Sequence, residues 1–280
     1  MRATPVTGVL THHGEGAGWH PAEGVFKIVD MFSGEIVTLA EGGPRRQRVS
    51  SVVAAWRPRR KGGIVAATER GFVVLDGEQR PVWHAELWPD AELRMNDGGC
   101  DPAGRFYCGS MAYDALEGAG SLWRLDPDRS THLIRSGFTI PNGLVWSLGG
   151  DMVYHVDTPT GRIDGYRFDV RTATWQDRST VAVVEGGAPD GMTIDAEGGL
   201  WVALWGGHAV HRYSPDGRLS AVVEVGPAQV SSCAFGGSEY SQLIITTSRQ
   251  GLGASEDPEA GRVFWVEPGV VGVPPQEYAG

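Results

Sequence analysis

Apolar and polar residues alternate along the chain in short stretches, each bounded by Gly, Asp, Ser or Pro, which is the pattern of half-buried strands joined by tight turns. Six stretches repeat one another, a turn with Gly, Asp or Ser leading into a β-rich run. They are GVFKIVDM at 24–31, GGIVAATE at 62–69, GRFYCGSM at 104–111, DMVYHVDT at 151–158, GGLWVALW at 198–205 and SQLIITTS at 241–248. Their starts lie 38, 42, 47, 47 and 43 residues apart, the period of a four-stranded propeller blade. A second strand follows each run, often closed by an acidic turn, as in GFVVLDG at 71–77 and GSLWRLDPD at 120–128. A segment of small and apolar residues precedes each run, such as NGLVWS at 142–147 or DGMTIDA at 190–196. Further candidates lie between units, among them THLIRSG at 131–137 and LSAVVEV at 219–225.

Helical apolar spacing is absent, and Gly interrupts every candidate helix. The pattern predicts an all-β chain, a six-bladed β-propeller with four-stranded blades forming one domain over 1–280. The last unit holds only three strands. The segment TPVTGVL at 4–10 is expected to supply its fourth, an N-terminal strand joining the last blade and leaving no open edge.

Composition sharpens this reading. The 41 Gly residues occur without low-complexity runs, so they mark many turns and many short strands. A net charge of −10 speaks against a nucleic-acid partner, which requires a basic surface. Seven basic residues do crowd positions 45–61; a solvated hairpin face is the plainer reading, an anion-steering patch the alternative. No run approaches the ~18 apolar residues of a membrane helix, and no signal-peptide core follows the N-terminus, so no membrane partner is expected. Cys100, Cys108 and Cys233, odd in number and within strand-like segments, read as reduced core residues of a cytoplasmic protein. Oligomeric state leaves no mark in the sequence.

Aligning the six inner segments on their turns brings one residue per blade to the same position: Glu15, Val52, Asn96, Asn142, Asp190 and Ser231. Gly directly follows Glu15, Asn142 and Asp190, which lets the backbone crowd the propeller axis. Any one of these is well explained as a turn residue capping a strand. Two carboxylates and two amides at one position of a repeat are not, because a narrow channel is a poor place for unpaired charge. A divalent cation would compensate them. An oxygen-only donor set suits Ca2+ best, with Mg2+, Mn2+ or Zn2+ as alternatives. Thiol and imidazole zinc spacings are missing, and adjacent His12 and His13 point to opposite faces of a strand.

At these residues the chain resembles the gluconolactonase/regucalcin (senescence marker protein) family over essentially its whole length. The resemblance is carried by GEGAGWHP from Gly14, RMNDGGCDPAGRFYCGSM from Arg94, PNGLVWSLGGDMVYHVDT from Pro141 and GAPDGMTIDAEGGLWVALW from Gly187. SSCAFGG from Ser231 and the tail GVVGVPPQEYAG from Gly269 extend it. It implies a six-bladed propeller, a metal held by Glu15, Asn142 and Asp190, and a small-molecule lactone substrate contacted by Arg94 and Asn96, with Asn96 near the ion or the substrate. Asp190 matches the residue usually given the role of general base. The chain departs from the family pattern at Ala17, Lys27 and Trp205, and the segment YDALEG at 113–118 borders the pocket entrance in relatives; these bear on which substrate is taken.

The expected activity is metal-dependent opening of a lactone, most simply a sugar lactone, with the cation polarising the carbonyl. Either Asp190 takes the proton of the attacking water, or a hydroxide on the cation attacks and Asp190 only orients it. No Gly-x-Ser-x-Gly nucleophile motif occurs. Two alternatives stand beside this reading: a calcium-binding regulatory protein without turnover, and a propeller hydrolase of other esters or organophosphates.

Overall fold

The computed structural model describes residues 1–253 and 255–280. Six four-stranded antiparallel sheets follow one another along the chain. The N-terminal strand β1 (Thr4–Pro5) stands apart. The first blade is β2 (Gly14–His20), β3 (Val25–Asp30), β4 (Glu35–Ala40) and β5 (Gly43–Arg48). The second is β6 (Val53–Pro58), β7 (Ile64–Thr68), β8 (Gly71–Leu75) and β9 (Pro81–Glu86). The third is β10 (Leu93–Cys100), β11 (Phe106–Ala112), β12 (Gly120–Leu125) and β13 (Thr131–Phe138). Then come β14 (Pro141–Trp146), β15 (Met152–Asp157), β16 (Arg162–Asp169) and β17 (Thr174–Val183), followed by β18 (Ala188–Ile194), β19 (Leu200–Trp205), β20 (Ala209–Tyr213) and β21 (Leu219–Glu224). The last blade contains β22 (Val230–Gly236), β23 (Gln242–Thr247) and β24 (Phe264–Val266), and β1 pairs with β24 as its outer strand.

The repeat is thus a six-bladed propeller, and the six sequence runs form the second strand of each blade. The closing strand is shorter than expected: only Thr4 and Pro5 pair, with Trp265 and Phe264, because Val6 and Leu10 turn their amides to the carbonyls of Val263 and Gly261 instead. The apolar cores lie between neighbouring sheets. Val65, Ala67, Phe72 and Val74 of the second blade pack with Met95, Phe106 and Cys108 of the third, and Trp201 and Val210 pack with Cys233, Phe235 and Ile245 across the last junction. Acidic turns lock the blades. Asp195 accepts the amides of Glu197 (2.9 Å) and Gly199 (2.8 Å), the Trp201 indole (2.8 Å) and Arg212 Nε (2.7 Å).

Every inner strand carries a β-bulge at or just beside the ring position, including those at Glu15/Gly18, Met95/Gly98, Asn142/Leu144 and Pro189/Met192. A bulge re-aims a side chain out of the ordinary alternation, here near the mouth of the channel. The following glycines permit it. A Cβ on Gly143 would stand 2.7 Å from the Asp190 carbonyl, and one on Gly191 2.8 Å from that of Ser231.

The C-terminal tail closes the other end. Tyr278 is fully buried, its amide bonded to the Pro58 carbonyl and its hydroxyl to the Asp126 carbonyl. The basic stretch is divided between two uses: Arg46 pairs with Asp30 and Glu35, whereas Arg59 turns inward to the Gly280 carbonyl at 2.9 Å. A cavity of about 400 Å3 lies on this tail side, with Trp56, Arg57, Met192, Phe235 and Val273 in its wall. Ala17 also faces it, and Lys27 is bonded to Glu23 and Thr38, so neither departure from the family pattern lies at the polar ring.

Candidate functional site

The ring residues Glu15, Asn96, Asn142 and Asp190 are buried, and so are Arg94 and Asp97. A chain of hydrogen bonds runs through them. Arg94 Nη1 donates to Asn96 Oδ1 (2.7 Å), and Asn96 Nδ2 donates to Asn142 Oδ1 (3.2 Å) and to the Pro141 carbonyl (3.0 Å). Asn142 Nδ2 in turn donates to Thr158 Oγ1 (2.9 Å), whose hydroxyl donates to the Pro189 carbonyl (2.8 Å), one residue before Asp190. This chain sets the orientation of both amides. Thr158 opens a single 3-10 turn, Thr158–Thr160, and a second such turn, Met31–Ser33, supplies Phe32.

The carboxyl groups are poorly served. Among the described residues Glu15 accepts only a long bond from the Gly16 amide (3.3 Å), and the buried Oδ1 of Asp190 has no partner. Burial, and then the charge of Asp97, pushes Glu15 up to about 8. Asp190 is raised well above the usual carboxylate range by burial and by Glu15 and Asp97. Burial raises Asp97 as well, against the opposing charge of Arg57, and the same desolvation lowers Arg94. Asp97 thus acts on both Glu15 and Asp190, and Glu15 on Asp190, with Arg94 the opposing charge for those two and Arg57 for Asp97. Among the described residues no three His, Cys, Asp or Glu side chains gather as a metal cluster, so any cation here would need the Asn142 amide beside the two carboxylates. Two carboxylates, one of them with an orphaned oxygen, and one amide oxygen are the donors a hard divalent cation takes.

Sequence reasoning brought Glu15, Arg94, Asn96, Asn142 and Asp190 to attention, set Val52 and Ser231 in the same ring and marked Trp205 and the 113–118 segment, but gave no part to Asp97 or His13. Val52 and Ser231 complete the ring without free polar atoms to offer, Ser231 being bonded to the Gly14 carbonyl and to Thr246. Asp97 was masked by its place in an Asn-Asp-Gly turn signal. His13 is buried, stacked on Phe32 at 5.1 Å, with Trp205 edge-on at 5.8 Å. Its neighbour His12 is exposed, and both precede β2 rather than lying on one strand. Burial and the nearby Arg94 charge lower His13 to about 3, so its imidazole is neutral. Arg94 lies between Phe32 (5.3 Å) and Tyr113 (5.8 Å), and Tyr113 donates to Glu69 at 2.7 Å. None of these contacts leaves a periodic signal in the sequence.

A family model described as the SMP-30/Gluconolactonase/LRE-like region matches residues 13–249. Regucalcin of Bos taurus is 34% identical over 285 residues, covering 96% of this chain and 95% of the relative. The solved structure of the calcium-binding protein regucalcin from Agrobacterium tumefaciens is 28% identical with a TM-score of 0.91, covering 99% of this chain and 95% of that one. The structure of a luciferin-regenerating enzyme is likewise 28% identical, with a TM-score of 0.89 and 99% coverage of both chains. The chain belongs to the SMP-30/gluconolactonase/LRE-like family.

Proposed function

We propose that this chain is one propeller domain that hydrolyses a small lactone, most simply a sugar lactone, at the mouth ringed by Glu15, Asn142 and Asp190, with one divalent cation held there. The observation that carries the reading is the unpartnered, buried Oδ1 of Asp190 beside a second buried carboxyl group, Glu15. Two such groups with Arg94 as the one guanidinium acting on both are costly, and lowering that cost is what a bound cation does. When bound, a divalent cation supplies Lewis acidity toward a carbonyl oxygen, and Ca2+ fits the oxygen donors best.

The chain's own residues do the rest. Arg94 is held by Asn96 and by the Met95 carbonyl, and we assign its remaining donors to a substrate oxygen. Asn96 is committed at both ends of its amide, so its part is to position Arg94 and Asn142 rather than to grip substrate. Asp190 Oδ1 is the free acceptor for a proton from water. Three buried, unpaired cysteines are in keeping with a cytoplasmic setting.

A relative described as a calcium-binding protein favours a second reading, calcium binding without turnover. The kinship to a luciferin-regenerating enzyme favours substrates other than sugars. One experiment separates these: strip metal with chelator, then assay aldonolactones, homoserine lactones, simple γ-lactones and an organophosphate with Ca2+, Mn2+, Mg2+ and Zn2+. Cation-dependent turnover of lactones supports the proposal. Tight calcium binding with no turnover across the panel rejects it in favour of the regulatory reading.

A further inference from the structure

We propose that the cavity on the tail side of the channel is a second binding site, for a small aromatic monocarboxylate whose carboxylate meets Arg57. It stands apart from the ring mouth and does not depend on the lactone reading.

The cavity measures about 400 Å3, within the roughly 300–1,000 Å3 of small-molecule sites. None of Glu15, Arg94, Asn96, Asn142 and Asp190 lines it. Its wall is built by the later halves of all six inner strands, β2, β6, β10, β14, β18 and β22, and by the tail at 273–276. Flat and apolar side chains dominate that wall, among them Trp19, Trp146, Met192, Phe235 and, from the tail, Pro274. Leu148, exposed, stands at its rim.

Arg57, half-buried, is the one charged residue of this wall. Counting from the ring positions Val52, Asn96 and Asp190, it holds the place of Asp101 and Asp195 in their blades. Those two carboxyls do not line the cavity; they serve their own turns, with Asp101 on Arg105 at 2.8 Å and Asp195 on Arg212 at 2.7 Å. Arg57 instead reaches across to the third blade. Its Nη1 donates to the Trp56 carbonyl (2.6 Å) and its Nη2 to the Gly98 carbonyl. Two neutral acceptors occupy part of the guanidinium fork and leave its charge unmatched, and among the described residues no carboxylate forms an ion pair with it. Asp97 feels the Arg57 charge, but it lies outside the cavity wall and accepts the Gly98 amide at 2.7 Å. Nothing else in the wall carries charge. Burial raises the thiols of Cys100 and Cys233, so both stay neutral, and Arg60 and Glu277 act on Cys100 with opposite sign.

This wall selects by charge and by shape. A planar carboxylate fits the guanidinium fork, and such charge-assisted bonds are about twice as strong as neutral ones. A cation would meet like charge, and a dianion would bring one charge more than the wall can match. A polyol would turn unpaired hydroxyls toward Trp19, Trp146 and Phe235, whereas a flat ring packs on them.

The test is calorimetric titration of 2-naphthoate and of its uncharged counterpart 2-naphthamide, with chelator and again with saturating Ca2+. Chelator is needed because a cation at the ring mouth would itself attract a carboxylate. The wild type should bind 2-naphthoate about tenfold or more tighter than 2-naphthamide in both conditions. Arg57→Met should bring naphthoate down to the level of the amide. Leu148→Glu, at an exposed position, should weaken naphthoate more than naphthamide. Naphthoate binding to Arg94→Met should equal that of the wild type, which places the ligand away from the ring mouth. Absence of naphthoate binding, a wild type without preference for the carboxylate, or a preference that survives in folded Arg57→Met overturns the proposal. So does binding that needs Ca2+ or is lost in Arg94→Met, since the ligand would then sit at the ring mouth. Should Arg57→Met not fold, the wild-type preference under chelator and its reduction in Leu148→Glu decide. Lactone turnover is unaffected by any of these outcomes, so the two readings fail separately.

Discussion

Arg94 donates to Oδ1 of Asn96 at 2.7 Å, and because Asn96 donates onward to Asn142, the guanidinium proposed to meet substrate and the amide proposed to meet a cation share one hydrogen-bonded chain. Position on one strand face would have placed Arg94 and Asn96 side by side without joining them. The bulge between Met95 and Gly98 re-aims this stretch, and Asn96 then serves both neighbours.

That relationship frames the first prediction. Asp190→Asn keeps shape but removes one of the two carboxylates proposed as ligands, so cation affinity and kcat should both fall. Arg94→Met keeps the apolar stem between Phe32 and Tyr113 and removes the donors. It should raise KM, with kcat/KM lower by roughly tenfold to a hundredfold, the equivalent of a lost charged hydrogen bond of ~1.5–3 kcal/mol. Cation affinity should drop by no more than a few-fold, through loosening of Asn96. Steady-state kinetics and calcium titration of both variants check this. Loss of calcium binding in Arg94→Met with retention in Asp190→Asn would reverse the assignment.

Removing the cation should leave a pH signature. Without a cation, burial and then the Asp97 charge push Glu15 up to about 8, against 4.5 for the free side chain, and Asp190 is displaced in the same direction. Between those two values the folded protein holds a proton that the unfolded chain has released. Stability from this source is therefore greatest at the acid end and declines as pH rises through the window. A cation takes the place of that proton and binds better once the carboxyls ionise. Calcium should raise the melting temperature more at pH 8 than at pH 5.5. Calcium at a hundred times its dissociation constant is worth about 2.7 kcal/mol. An increment of equal size at both pH values would count against ligation by these two carboxyls.

The fold was legible because a propeller repeats its signal. Six runs of one kind at a 38–47-residue spacing outweigh the ambiguity of any single strand, and the ring position followed from superposing them. Glu15, Asn142 and Asp190 stood out since Asp and Asn are out of place in strands unless something holds them. His13, Thr158 and Tyr113 were less legible for a physical reason. They reach the mouth from loops and from a 3-10 turn, and a loop contact has no period to read. The extent of β1 was misjudged because its apolar continuation, Val6 to Leu10, bonds to loop carbonyls rather than to a strand edge.

A structural prediction follows from Asp195. Its carboxylate is fully buried and serves two turn amides, the Trp201 indole and Arg212, and these hydrogen bonds hold it below the usual carboxylate range despite its burial. Asp195→Ala leaves two turn amides, the Trp201 indole and Arg212 Nε without their acceptor at once, while Arg212 keeps Glu197 and Ser220. The expected loss is about 3–5 kcal/mol. Denaturant unfolding measures it, and a loss under 1 kcal/mol would show that water replaces the carboxylate at little cost.

The final prediction concerns Thr158, which touches neither the proposed cation nor the substrate. Its hydroxyl accepts Asn142 Nδ2 at 2.9 Å and donates to the Pro189 carbonyl at 2.8 Å, so it decides which end of the Asn142 amide faces the ring. Without it nothing on that side prefers nitrogen, and the amide can turn its NH2 toward the two carboxyl groups. In that orientation it would hydrogen-bond them rather than offer an oxygen to a cation. Thr158→Val keeps the shape and removes only the hydroxyl. Calcium affinity should weaken by about tenfold to a hundredfold, the usual effect of losing a group that orients a metal ligand. Stability should fall by only about 1–2 kcal/mol for the unpaired Pro189 carbonyl. Thr158→Ser, which restores the hydroxyl, should recover calcium affinity while leaving any packing loss of the missing methyl in place. Calorimetric titration of the three proteins separates these effects. If Thr158→Val binds calcium as the wild type does, Asn142 is either not a ligand or is oriented by Asn96 alone, and a double variant with Asn96→Ala tells the two apart.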